Sequence, residues 1–124
     1  MAVTYSCVGD VLELELEGAY EPAEILRQFQ AALADPNCPP RVTLLIDVSR
    51  SEVLARRPMH EIARIAIQLG PYAERIGGRC AVFAPSDVTF GLAQMGSVAA
   101  DTVGVDARVF RSRQSALDWL HGAH

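Results

Sequence analysis

The chain has 124 residues, half of them hydrophobic and about a fifth charged, and fifteen acids against eleven basic residues give a formal charge of -4. That length suits one domain, residues 1–124, with a core large enough to stand without metal or a disulfide framework, and the balance excludes a disordered tail. Every basic residue is arginine, and the net negative charge argues against general nucleic-acid binding, which needs a basic face to meet phosphates.

Met1 to Gly9 has no basic start and no long apolar run, so it reads as a strand and not an export signal. Nowhere do eighteen apolar residues follow one another, and no membrane span is expected. Val3–Val8 and Val11–Glu17 are β-type runs joined by Gly9-Asp10, a hairpin signal. In the second run Leu12, Leu14 and Leu16 alternate with Glu13, Glu15 and Glu17, the period of a strand with one buried and one wet face. Pro22 suits a first helical turn, after which Ile25, Leu26, Phe29, Ala32 and Leu33 share one face. Asp35 to Pro40 holds three prolines in six residues and ends that helix.

Val42–Val48 reads as a central strand ending at Asp47-Val48-Ser49, and Arg50–Arg57 as a connector to Pro58. Ile62, Ile65, Ala66, Leu69, Ala73 and Ile76 keep helical spacing through Gly70-Pro71, where a kink or restart is expected. Arg79–Ala84 is a short strand. Ser86 or Asp87 can cap a third helix with Val88, Leu92, Met95 and Ala99 inward. Asp106–Phe110 is the last strand, and Ser112 starts a helix with Ala116, Leu117 and Leu120 on its apolar face. Strands alternating with helices in this way call for an α/β fold: a mostly parallel five-stranded sheet, an antiparallel edge strand first, and about four helices.

The segment Leu44-Leu45-Ile46-Asp47-Val48-Ser49 and the ending Arg108-Val109-Phe110-Arg111 through Ala116-Leu117-Asp118-Trp119-Leu120 resemble the SpoIIAA-like superfamily over nearly the whole chain. That group includes STAS domains, named for sulfate transporters and anti-sigma factor antagonists, and CRAL-TRIO-type lipid carriers. The form is similar to small stand-alone bacterial proteins related to both. Anti-sigma factor antagonists of this fold carry an Asp-Ser-x-Gly turn whose serine is phosphorylated. Neither Ser49-Arg50-Ser51-Glu52 nor Ala55-Arg56-Arg57-Pro58-Met59 supplies that turn, so the resemblance does not bring the phosphoserine switch with it.

In open α/β sheets ligands gather beyond the carboxyl ends of the parallel strands. The loops expected there hold Ser49, Arg50, Ser51, Arg56, Arg57, Arg111 and Arg113, besides Ser86, Asp87 and Ser112. Guanidinium groups beside helix N-termini suit an anionic ligand or an acidic partner; as solvated charges they would instead pair with Glu52, Glu61 or Asp87. His60-Glu61 lacks the second histidine of a zinc-protease helix, since Arg64 stands there, and His121 and His124 lie at the terminus, so no metal or cofactor is expected. Cys7, Cys38 and Cys80 are an odd number without paired spacing, which suits reduced thiols in a cytoplasmic protein. A Cys-His nucleophile is not expected, because Cys7 and Cys80 fall inside strands. Asp47 would cap or pair locally. Gly91 and Gly96 with Ser97 mimic a phosphate loop without its lysine, and close helix packing is the reason expected for both glycines.

Val53 and Leu54 form an apolar pair in a charged connector, placed to tuck under the domain or to line a groove. Two functions follow. One is a non-enzymatic regulatory domain that binds a protein partner, with a sheet edge or helix face available for a homodimer. The other is a carrier or sensor of a small apolar or anionic ligand, with Val53, Leu54 and Met59 near a pocket and Arg56 or Arg57 on its charged end.

Overall fold

Gly9, with φ of 60°, closes the two-residue turn that folds β1 (Val3–Val8) back on β2 (Val11–Gly18), pairing Val8 with Val11 and Val3 with Leu16. These strands belong to a computed structural model that describes residues 2–52, 56 and 59–122. Beyond them come α1 (Pro22–Ala34), β3 (Thr43–Ser51), α2 (Met59–Ile67), a 3-10 turn (Gly70–Tyr72), β4 (Arg79–Phe83), α3 (Asp87–Asp101), β5 (Asp106–Phe110) and α4 (Arg113–Leu120). The sheet has five strands in the order β1-β2-β3-β4-β5, antiparallel only between β1 and β2. Among the described residues no helix is long and apolar enough to cross a membrane.

The two sheet faces are covered unequally. Leu12, Leu14, Leu44 and Cys80 meet Phe29 of α1, Ile62 of α2 and Ala100 of α3 in the larger core. On the other face, among the described residues, α4 alone of the helices supplies Ala116, Trp119 and Leu120 against Val11, Leu45 and Ala81. Trp119 is held there by two guanidinium groups, Arg79 at 5.3 Å and Arg108 at 5.2 Å from its ring centre, an arrangement favoured by the charge distribution of the indole.

Gly70-Pro71 breaks the second helical run as expected. A Cβ on Gly70 would stand 2.9 Å from that of Val103, so the turn and the α3–β5 link touch at a point only glycine fits. Three other expectations need correction. Cys7 and Cys38 are joined in a disulfide, because the hairpin lays Cys7 beside the proline-rich turn after α1. Only Cys80 is free, so thiol number no longer speaks for a reducing compartment. Glu13, expected on a wet face, is buried at 7 % exposure. And β3 continues through Ser49, Arg50 and Ser51 instead of giving way to a loop, because one extra residue in β3 after Asp47, a bulge, lets Arg50 and Ser51 pair with Glu17 and Gly18 of β2.

The largest correction concerns α3. Its buried residues are Thr89, Ala93, Gly96 and Ala100; of the expected row Val88, Leu92, Met95 and Ala99, Leu92 packs half-buried against the core while Val88 and Met95 do not turn inward. Val88, Met95 and Val98 are 59 %, 55 % and 68 % exposed. The helix packs closely on both α2 and β5, where a Cβ on Gly96 would already stand 3.2 Å from Cγ2 of Ile62. Small residues fit that seam, Phe90 and Leu92 pack beside it, and Val88, Met95 and Val98 are left outside. Close packing therefore accounts for Gly96 but not Gly91, whose Cβ would meet nothing within 4 Å.

At the β1 edge Tyr5 donates to Asp35 Oδ2 at 2.9 Å. The Asn37 backbone N–H and then the Tyr5 hydroxyl hold the Asp35 carboxyl below the usual carboxylate range. Its folded value is lowered, so its contribution to stability is complete above the ordinary range and is lost as pH falls through the lowered value. Tyr5→Phe should therefore narrow the gap in unfolding free energy between neutral and strongly acid pH, measured by urea titration. Gly91→Ala should raise stability by about 1 kcal/mol, the helix-propensity difference at a site with room for the methyl group. Thiol titration should find no reactive sulfur in the native chain, one after unfolding, from Cys80, and three after reduction. Loss of the bond should cost about 3 kcal/mol, as expected when a loop of tens of residues is released.

Candidate functional site

The parallel strands β2 to β5 end on one side of the sheet, and the described arginines among those foreseen there are engaged with groups of the chain itself. Arg50 lies 3.5 Å from Glu15 and 3.6 Å from Glu17 on β2. Arg113, the first residue of α4, reaches across to the buried Glu13. Arg111 donates to Asp87 Oδ1 at 2.6 Å and to the Pro85 carbonyl at 3.5 Å, with its guanidinium 4.3 Å from the Phe90 ring centre. Arg56 donates to the Glu52 carbonyl at 3.0 Å. Arg57, Val53 and Leu54 lie outside the described residues.

The strand ends thus carry two separate groups. Arg50 and Arg113 serve the acidic row of β2, whereas Arg111 belongs to the N-terminal end of α3. Ser51 Oγ and the hydroxyl of buried Tyr20 are 2.7 Å apart. Asp47, 8 % exposed, accepts from the Ser49 backbone N–H at 2.9 Å and from its hydroxyl at 2.6 Å. This is the local pairing expected for Asp47.

Sequence reasoning missed that Glu13, Glu15 and Asp47 meet, with carboxylate oxygens within 4.8 Å of one another. The register gives the reason, since Glu15 pairs with Asp47 and Glu13 stands two residues earlier on the same side of β2. Three carboxylates are a hard donor set of the kind that holds calcium or magnesium. Here Arg113 takes up Glu13, Arg50 takes up Glu15 and Ser49 takes up Asp47. The group is an internal ion-pair network. An incoming anion would meet a surplus of carboxylates at this place.

The third helix begins at Ser86, whose side chain accepts from the Thr89 N–H at 3.2 Å. From there Val88, Gly91, Leu92, Gln94, Met95 and Val98 line an open groove of about 580 Å³ on a single helix. None of these residues is charged. Inside, between the sheet and helices α2 and α3, an apolar cavity of about 90 Å³ touches Ile46, Ile62, Leu69, Ala93, Gly96 and Cys80. Burial pushes the Cys80 thiol up to about 12, so it stays protonated and is no nucleophile at neutral pH.

No protein-family model matches the chain, and no curated protein is significantly similar to it. One solved structure covers 96 % of the chain and 92 % of its own, with a TM-score of 0.57 at 20 % identity: an uncharacterized protein of the DUF3478 family from Shewanella loihica PV-4, described as having a SpoIIAA-like fold. The fold is SpoIIAA-like. That likeness agrees with the antiparallel first strand, the parallel remainder and the four helices of this chain. It reaches the architecture alone, so what a SpoIIAA-like chain with this surface does has to be argued from its own residues.

Replacing Arg113 with Met leaves Glu13 buried beside two other carboxylates. The expected loss is about 1–2 kcal/mol, less than for a fully buried pair because Arg113 is half exposed. Changing Glu13 to Leu as well should recover most of it, read as a double-mutant cycle in urea.

Proposed function

We propose that this SpoIIAA-like chain is a non-catalytic regulatory domain that works by docking a protein partner on the outer face of α3. The observation that carries the reading is the row Val88, Met95 and Val98, large apolar side chains left outside on one uncharged helical face. Keeping such a row in water forgoes about 25 cal/mol for each Å² that burial would remove. Contiguous apolar surface of this kind marks interaction sites.

The carrier reading has less support. Small-molecule sites enclose roughly 300–1,000 Å³, and the cavity under α2 and α3 holds about 90 Å³. The larger groove lies on one side of one helix and surrounds nothing. Of the described arginines at the strand ends, Arg50 and Arg113 are paired with the chain's own carboxylates and Arg56 with the Glu52 carbonyl.

Native mass spectrometry of the chain purified from the cells that make it tests the choice. The reading expects the chain bound to a second polypeptide, a copy or another protein, with no small-molecule adduct. A chain that carries a retained organic molecule and no polypeptide would overturn it in favour of a carrier.

A further inference from the structure

We infer that the polypeptide docked on α3 is a second copy of this chain, its α3 lying antiparallel to the first about a two-fold axis near Ala93. This deepens the docking reading and rests on it. Three features of the helix fit one another under that symmetry. Gly91 leaves a gap in the exposed row, open space where a side chain would stand among Val88, Leu92, Met95 and Val98. Met95, one turn further on, is the longest side chain in the row and stands 55 % exposed. A two-fold axis midway between them sets Met95 of each chain over Gly91 of the other, a knob and a hollow on the same surface, as an isologous contact requires. A glycine in a helix interior costs about 1 kcal/mol relative to alanine. No neighbour inside the chain accounts for it, whereas close approach of a second helix does.

The same axis pairs Val88 with the partner's Val98, so both ends of the apolar row are covered. It also decides direction by charge. Between Asp87 and Asp101 the helix has no charged residue. Asp101 and Pro85 lie equally far from Ala93, about 12 Å at 1.5 Å per residue, so the partner's Asp101 arrives beside Pro85. There Arg111 is already oriented, donating to the Pro85 carbonyl and Asp87 with half of its side chain exposed. A parallel pair would instead set Asp101 against the partner's Asp101 with no cation supplied by either helix. Methionine suits the knob, because its unbranched side chain adapts to a shallow hollow. A contact built on one helix is smaller than the roughly 800 Å² per partner of a standard interface, so the dimer forms and dissociates with concentration.

Sedimentation equilibrium of the purified chain, from roughly 1 µM to 1 mM, a span that brackets weak association, tests this. The weight-average mass should climb from the 13.4 kDa of one chain towards twice that value. Met95→Glu and Val98→Asp should stay at one chain mass throughout with the melting temperature of diluted wild type, since neither side chain belongs to the core. Asp101→Arg should weaken association by roughly four- to twenty-five-fold, since the two-fold axis makes the ion pair twice and one exposed pair is worth about two- to five-fold. Wild type that remains at one chain mass overturns self-pairing while leaving the docking reading standing, because that reading falls only on a retained small molecule. A Met95→Glu chain that still doubles its mass puts the contact elsewhere. Asp101→Arg binding more tightly than wild type overturns the antiparallel direction.

Discussion

The seam between α3 and its neighbours on α2 and β5 is the constraint from which the surface of this molecule follows. Ala93, Gly96 and Ala100 let the helix lie close, and Gly96 already brings its backbone near the Ile62 side chain. Because that approach admits only small side chains, the rotation of α3 about its axis is fixed by what fits and not by what is most hydrophobic. The valines and methionine of the helix are left facing out. A core contact thereby sets the chemistry of an outer face.

Charge is arranged around the same frame. On the sheet face that α4 covers only in part, β2 and β3 bring carboxylates together, and the arginines at the ends of β3 and α4 answer them. Buried Glu13 makes this pairing consequential, since an uncompensated carboxylate there is costly in a poorly hydrated site. The arginines at the strand ends are thus part of what holds the sheet face together. Arg111 differs. Set against the Phe90 ring and Asp87 at the start of α3, it borders the apolar row and belongs with that surface.

Much of the fold was legible in the chain because local signals and global packing agree. The Gly9 turn, the prolines after α1, the Ser86 and Ser112 caps and the alternating leucines of β2 each act within a few residues, and their order specifies a parallel sheet behind a hairpin. What failed to show depends on neighbours distant in sequence. The burial of Glu13 and its meeting with Asp47 come from strand register, the Cys7–Cys38 bond from the hairpin lying beside a later turn, and the length of β3 from its renewed pairing with the end of β2 beyond a bulge. For α3 the sequence carries two candidate faces, one bulky and one small, offset by a single residue. Hydrophobicity selects the first. The width of the seam selects the second, and width is not written in any one helix.

The orientation of α3 can be measured through the reactivity of single cysteines placed on its two faces, Met95→Cys and Ala93→Cys, labelled by a maleimide at high dilution. Cys80 is buried and Cys7 and Cys38 are bonded, so the added thiol alone should react. The account predicts that position 95 labels nearly as fast in the folded chain as in the unfolded one, and that position 93 is protected. Protection at 95 with rapid labelling at 93 would contradict it.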